Sequence, residues 1–396
     1  MCAAVLKNWR EAATLMLVHG RKKIQNRILD NLHPSQALQQ TTNLADHGLE
    51  LLVLKRSMKS SFMPNKYVFP GGIADDSDFS LHWLPIFGAT TPELAAHRFG
   101  FAKTVEEITP MFYRLRPEQF SVIPSEIAFR ICAIRETFEE AGVLLVRSVD
   151  QSSYDFNASA AYPYHFGEDH SSKVEEWRHK VVQNPLAFLT LCENLEVVPD
   201  VWSLYNWSNW LTPHFDTVID KEKGKRYDTA FFITCVGEKP YVAEDAKEAV
   251  HSEWVSPLQM IEDFAENRVQ LAPPQLYEAS RLVNCNTVDA LLGYLQRQAR
   301  QPVERWMPVM IKCADGVIFT FPGDSLYPKK PDLEGEHPTL KREEKLQELK
   351  SQSSQLHRAI IQTPPVKDGK PTGNKRIQLE CTIDLPYGHV APSFEG

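Results

Sequence analysis

The chain has 396 residues, long for a single domain, and length alone suggests two or three folding units. Its composition, 43% hydrophobic and 24% charged, is that of an ordinary globular protein, and no apolar run approaches the roughly eighteen residues that a membrane-spanning helix needs. The net charge is −8, so nothing global recruits nucleic acid or an anionic membrane; attraction for a polyanion must be local or borne by a metal.

The first residues are weakly basic through Lys7, Arg10 and Arg21-Lys22-Lys23, but Ala12 to Val18 reads as a strand rather than a targeting leader. Trp9–His19 and Leu49–Lys55 are apolar runs of strand length, joined by a long polar excursion. The second run leads into a local basic cluster, Lys55, Arg56, Lys59 and Lys66, and then into Phe69-Pro70-Gly71-Gly72. Without side chains, Gly71 and Gly72 let a ligand come close to the backbone; a Pro-Gly-Gly run is otherwise a turn. From about 73 to 126 the chain carries aromatics and short helical patches, expected to form a folded surface cap.

Next comes the stretch richest in chemistry. Ile127, Ile131, Ile134 and Phe138 fall on one stripe of a helix, and Glu136, Glu139 and Glu140 gather on another. Like charges one turn apart repel, unless a hard divalent cation such as Mg²⁺ takes their oxygens as ligands; Glu136 and Glu140 have the spacing for this. The alternative is a solvated helix face on which Arg135 pairs with Glu139. Gly142 supplies a residue that stops the helix in a left-handed conformation.

Val143–Arg147 continues as a strand, and a second insertion, about 150–200, holds helices over Lys173–Gln183 and Pro185–Leu195. In the run from Trp202 to Trp210 the aromatics either stack a purine or are core residues whose indoles are hydrogen-bonded. Arg226–Ile233 reads as a strand buried on both faces, Ala243–Val255 precedes a helix through Phe264, and another helix covers Gln275–Val283. After strand-like Trp306–Ile311 and Gly316–Phe321, residues 329–374 are rich in Lys, Glu, Gln, Ser and Pro and are expected to be a flexible charged linker. A C-terminal segment, 375–396, contains one late strand, Arg376–Leu385. The seven cysteines, at 2, 132, 192, 235, 285, 313 and 381, lack C-x-x-C spacing, which fits a reducing compartment and no disulfide frame.

Arg135-Glu136-x-x-Glu139-Glu140-x-Gly142-Val143, with Gly71-Gly72 ahead of it, resembles the two ends of the Nudix box, G-x5-E-x7-R-E-U-x-E-E-x-G-U. Gly72 and Arg135 are 63 positions apart, against 14 in an uninterrupted box, so about fifty residues are inserted; Glu126 is the nearest substitute for the first Glu. The resemblance implies an α+β Nudix fold over residues 10–325, a mixed β-sheet sandwiched between helices, with helical insertions and a C-terminal extension. It further implies hydrolysis of a nucleoside-linked diphosphate with Mg²⁺ or Mn²⁺.

Leu52, Arg56, Ser57 and Phe69–Gly72 also match the motif preceding the box in coenzyme A diphosphatases, L-L-T-x-R-[SA]-x3-R-x3-G-x3-F-P-G-G, whereas Ser61 and Asn65 depart from it. The arrangement is most similar to a peroxisomal subgroup that hydrolyses coenzyme A or acyl-coenzyme A to 3′,5′-ADP and (acyl-)4′-phosphopantetheine. In that reading Glu136 and Glu140, with Glu139 and the Gly72 carbonyl, hold the metal, and Arg135 orients a carboxylate. Glu139, Glu244 or Glu248 is the general base, with Glu253 a weaker candidate; Arg56, Lys55, Lys59, Lys66 and Gly71 meet the substrate. The expected partner is therefore a small molecule, with no membrane or nucleic-acid partner and a monomeric chain. NADH, a nucleotide sugar or a capped RNA end are alternative substrates, and a non-catalytic Nudix-fold binding protein is the reading from another class. A peroxisomal location is expected from the resemblance although the sequence ends Ser393-Phe394-Glu395-Gly396; mitochondrial and cytoplasmic locations are the alternatives.

Overall fold

The run Ala12–Val18 has one polar residue to turn toward water, and it becomes the middle of a sheet covered on both faces. The computed structural model describes residues 9–20, 48–58, 65–91, 94, 109–148, 161–213, 226–243, 249–285, 287–299, 301–334, 339–362, 366–367, 370–371 and 376–383. Strands β1 (Arg10–Gly20), β2 (Leu49–Arg56), β3 (Tyr67–Val68) and β4 (Gly71–Ile73) come first, followed by a short helix α1 (Trp83–Ile86) and the long helix α2 (Ser125–Ala141). Strand β5 (Val146–Ser148), helices α3 (His170–Gln183) and α4 (Ala187–Leu195), and strands β6 (Val197–Pro199), β7 (Tyr205–Leu211), β8 (Tyr227–Val236) and β9 (Ala249–Val255) come next. Helices α5 (Pro257–Ala265), α6 (Pro273–Leu282) and α7 (Val288–Gln298) lead to β10 (Arg305–Trp306).

Among the described residues the main sheet has the order β10-β7-β8-β1-β2-β3, with β4 paired to β1 and β9 paired to β2. β1 runs parallel to β8 from Arg10 opposite Tyr227 to His19 opposite Val236, and antiparallel to β2 and β4. The fold is thus α+β with a mixed sheet. Alternate residues serve two cores: Leu15, Leu17, Leu52 and Leu54 pack with Ile127, Ile131, Ile134 and Phe138 of α2. Met16, Val18, Leu51 and Val53 pack with Leu276, Tyr277, Leu291 and Leu295 of α6 and α7.

Two expectations are corrected. The described ends of the first insertion are not a surface cap. Phe79, Trp83, Phe87, Met111, Phe112 and Ile123 are buried in the α2 core, with Phe79 edge-on to Phe129 at 5.6 Å. Trp83 meets Phe188 at 6.0 Å and Phe87 meets Trp202 at 5.8 Å, so the two insertions pack on each other. The Trp-rich run takes the second of its two readings, with Trp202, Trp207 and Trp210 buried in the core. Trp207 and Trp210 donate their indole N–H groups to the fully buried Glu278 carboxylate, each at 2.6 Å, and Ser208 and Arg281 complete its partners.

The other correction concerns residues 329–374, which are no flexible linker. Strands β11 (Val309–Lys312), β12 (Gly316–Thr320), β13 (Leu340–Lys341) and β14 (His357–Gln362) join Arg376–Cys381 in a second sheet, with helix α8 (Leu346–Gln352) against it. The supposed end of the first domain at 325 is displaced as well, because β11 and β12 belong to this second sheet. Charged residues dominate the segment, but its few apolar ones are spaced to share one face: Leu346 and Leu349 cover Ile311, Ile318 and Ile360. The opposite face, with Phe321, Ala359 and Leu379, joins the core beneath α6.

A buried latch fastens the second sheet to helix α6 of the main unit. His357 is fully buried; its Nδ1 lies 2.6 Å from the Pro322 carbonyl and its Nε2 lies 2.5 Å from the Tyr277 hydroxyl. A carbonyl only accepts, so Nδ1 carries the proton and Nε2 accepts from Tyr277. Burial pushes the His357 imidazole down to about 4, against about 6.5 for an exposed one. Between these values the unfolded chain binds more protons than the folded one, so stability is complete above about pH 7 and lost as pH falls toward 4. Thermal unfolding should show His357 alone costing about 2 kcal/mol between pH 7.5 and 5, and a His357→Gln variant should have a flatter pH dependence over that interval.

Candidate active site

Helix α2 ends at Gly142, whose φ of 70° places it in the left-handed region while its N–H still donates to the Phe138 carbonyl. The last two turns carry Arg135, Glu136, Glu139 and Glu140. Arg135 is 2% exposed and sits at the centre. Its Nε and Nη2 grip both oxygens of Asp78, at 2.8 and 2.9 Å, and Nη2 also donates to the Ile73 carbonyl at 3.1 Å. Its Nη1 reaches Glu136 at 2.9 Å and Glu139 at 2.7 Å. One guanidinium thus holds two of the three glutamates from a single nitrogen.

Asp78 was not foreseen, yet the signal was in the sequence. It stands six residues after Gly72, where the box pattern has its first acid. Counting back from Arg135 instead led to Glu126. That residue lies ten positions before Glu136, about 15 Å along the helix, and pairs with Arg130 at 2.9 Å and Asn206 at 2.9 Å. Glu126 therefore joins α2 to β7 and takes no part in the carboxylate cluster. The insertion begins after Asp78, which is held in a tight turn where Asp75 N–H donates to its Oδ2 at 2.8 Å and Asp75 caps the turn through Ser77 N–H.

The pairing of β4 with β1, Gly72 opposite Ala13 and Gly71 opposite Thr14, brings the glycine pair onto the glutamates. Gly71 N–H donates to Glu140 Oε2 at 2.8 Å. A Cβ at Gly71 would lie 2.5 Å from the Ala13 carbonyl, and one at Gly72 would lie 2.4 Å from Glu136 Oε2. Only glycine lets the carboxylates come this close. Burial against Gly72 pushes the Glu136 carboxyl up to about 7, with Arg135 pulling it down and Glu139 adding to the rise. Cys132 lies behind, its Sγ 4.0 Å from the Gly72 carbonyl and 3.7 Å from Arg135 Nη2; burial raises its thiol well above the usual range, so it stays protonated.

The basic residues divide between two faces. Arg56 points toward α2, its Nη1 3.8 Å from Glu140 Oε1, and its N–H donates to the carbonyl of Lys66, which lies across from it on the same face. Lys55 is on the opposite face, its ammonium 5.8 Å from the Tyr67 ring, so it does not join Arg56 as expected. Glu253 pairs with Val53 on that far face, where its carboxylate, after burial, helps push the Tyr67 hydroxyl up to about 12; it is thereby removed as a candidate base. Lys59, Glu244 and Glu248 lie outside the described residues.

Among the described residues no three His, Cys, Asp or Glu side chains form a ready-made cation cage. The donors on this helix end are all oxygens: Glu136 and Glu139 share Arg135 Nη1, and Glu140 lies against the Gly71 N–H. An all-oxygen set of this kind suits a hard divalent ion, which commonly takes one or two carboxylates and completes its shell with water and substrate phosphate.

The family model described as the NUDT19 Nudix domain matches residues 9–282, and the one described as the NUDT19 C-terminal domain matches residues 310–366. The acyl-coenzyme A diphosphatase NUDT19 of Xenopus laevis is 38% identical, covering 98% of this chain and 96% of its own length. The Gallus gallus protein of the same name is 37% identical over 98% and 95%, and the Homo sapiens one 34% identical over 97% and 94%. Among solved structures, a Nudix hydrolase from Alicyclobacillus acidocaldarius aligns with a TM-score of 0.44 and 18% identity, over 73% of this chain and 97% of that one.

Asp78 and Arg135 are 1% and 2% exposed, so removing the Asp78 charge leaves the buried guanidinium with only Glu136 and Glu139, both on Nη1, as counter-charges. Asp78→Asn should lower stability by about 3 kcal/mol in urea unfolding, whereas Glu139→Gln, which leaves Asp78 and Glu136 on the guanidinium, should cost less, about 1 kcal/mol.

Proposed function

The chain belongs to the NUDT19 Nudix family, and on that premise we propose that it hydrolyses the diphosphate bond of coenzyme A and acyl-coenzyme A. One water adds across the P–O–P bond, giving 3′,5′-ADP and (acyl-)4′-phosphopantetheine. The observation that carries the reading is the meeting of Gly71 and Gly72 with Glu136 and Glu140 across an insertion of about fifty residues.

Nudix hydrolases use divalent metal ions; here Mg²⁺ or Mn²⁺ is proposed, held by Glu136 and Glu140 with Glu139 and the Gly72 carbonyl alongside. When bound, the ion supplies charge neutralisation at the phosphate oxygens and makes water more acidic. The protein's own residues do the positioning. Arg135, fixed by Asp78, holds Glu136 and Glu139 from one nitrogen, one carboxylate oxygen each. Gly71 N–H locks the rotamer of Glu140, and the bare glycine backbone leaves room for a phosphate. Glu139 is the proposed general base, with Glu244 and Glu248, which precede β9 in the sequence, as the alternatives. Arg56 and Lys66, facing α2, are proposed to meet the 3′-phosphate of the coenzyme.

Turnover of coenzyme A, NADH and a nucleotide sugar, measured with and without Mg²⁺, tests the assignment. Coenzyme A should give the highest kcat/KM, and Glu140→Gln should lower kcat by at least about a hundredfold, as loss of a direct metal ligand demands. Wild-type turnover in that variant overturns the metal assignment. Arg56→Gln should raise KM for coenzyme A about tenfold more than for dephospho-coenzyme A, the worth of one charge-assisted hydrogen bond; equal losses refute its role at the 3′-phosphate.

A further inference from the structure

The last four carbonyls of a helix have no partner within it. In α2 each of them is satisfied, by three different parts of the chain. Phe138 accepts from Gly142 N–H at 2.9 Å, and Ala141 accepts from Ala243 N–H at 2.9 Å. The two between them, on Glu139 and Glu140 themselves, are taken by one side chain. Arg178 donates Nε and Nη2 to the Glu139 carbonyl at 3.0 and 2.8 Å, and Nη2 again to the Glu140 carbonyl at 3.2 Å.

Arg178 is 5% exposed and belongs to α3, within the second insertion. One turn earlier on the same helix, Val174 packs against Gly142, where an added Cβ would lie 2.9 Å from it. The helix end is thus gripped at its backbone by an element outside the box. The electrostatics make this more than a cap. The C-terminus of a helix carries about half a negative charge, an unfavourable place to gather three carboxylates. A guanidinium under those carbonyls offsets that field and stops the last turn from fraying.

We propose that Arg178 is a positioning residue for the diphosphatase centre: it fixes the backbone of Glu139 and Glu140 and offsets the negative helix end, so that their carboxylates are preset for a divalent cation. The second insertion thereby contributes to the site although it supplies no ligand. This inference rests on the metal assignment made above, and its test separates the two.

Mn²⁺ binding to the metal-free full-length protein, followed by electron paramagnetic resonance, is the direct readout, with steady-state kinetics and thermal unfolding beside it. Arg178→Met should weaken Mn²⁺ binding about tenfold and lower kcat while leaving KM for coenzyme A within about twofold. Arg178→Lys, which keeps the charge but loses the planar fork, should fall between, about threefold weaker. Val174→Ala, which loosens the same helix contact without touching the carbonyls, should lower Tm and leave Mn²⁺ binding unchanged. A folded Arg178→Met protein with wild-type Mn²⁺ affinity and kcat overturns the proposal. Should that variant fail to fold, wild-type Mn²⁺ affinity in Arg178→Lys overturns it instead. Absence of Mn²⁺ binding in the unaltered protein would count against the metal assignment itself.

Discussion

The site depends on a buried ion pair. Arg135 and Asp78 are drawn from parts of the chain 57 residues apart, and their two parallel hydrogen bonds close the gap that the first insertion opens. Stretching the connection between Gly72 and Arg135 from 14 positions to 63 adds only about 1 kcal/mol of loop-closure entropy. Breaking a buried pair by removing one partner costs about 3 to 5 kcal/mol. The closure term is small, and once the box has assembled the penalty for a lone buried charge keeps the two partners together. The insertion also repays part of its own entropy, because Trp83, Phe87 and Phe112 become core.

Two features of α2 were legible from residue order alone. Its apolar stripe and its acidic stripe follow from a period of 3.6, and all four predicted core positions, Ile127, Ile131, Ile134 and Phe138, are fully buried. What the order of residues hides is pairing. Whether Lys55 or Arg56 faces the carboxylates depends on which strands flank β2 and in what register, and a shift of one residue exchanges their faces. Asp78 was hidden differently: it was readable from Gly72 forward and obscured only by counting back across the insertion. The second sheet was missed because charge content outweighed spacing. A strand covered on both faces can manage with one buried apolar side chain on each, and β14 turns Ala359 to the core beneath α6 and Ile360 to α8 among its charged and polar neighbours.

Consecutive residues of α6 tie both layers behind the main sheet. Tyr277 reaches out to His357 of the second sheet, while Glu278 turns inward to Trp207, Ser208, Trp210 and Arg281. A carboxylate buried this deeply is tolerable only because its oxygens are fully engaged, two indoles, a hydroxyl and a guanidinium taking the place of water. The same helix thereby fixes β7, whose Asn206 holds Glu126 at the start of α2. The C-terminal sheet is in this way connected, through packed and hydrogen-bonded groups, to the helix that carries the site on the opposite face.

The electrostatics of that helix explain why a cation belongs there on the proposed reading. Raising a carboxyl from about 4.5 to about 7 means that ionising Glu136 costs roughly 3 kcal/mol more than it would in water. Burial, Glu139 and Asp78 all oppose its charge, and the Arg135 contact recovers only part of the difference. A side chain in such surroundings gains more from a divalent ion than a solvated one does, since the ion removes repulsions that water screens elsewhere. The cost of crowding acids at this turn is therefore also the source of affinity, and the folded chain sustains it because Asp78 and Arg178 hold the helix from outside the acidic face.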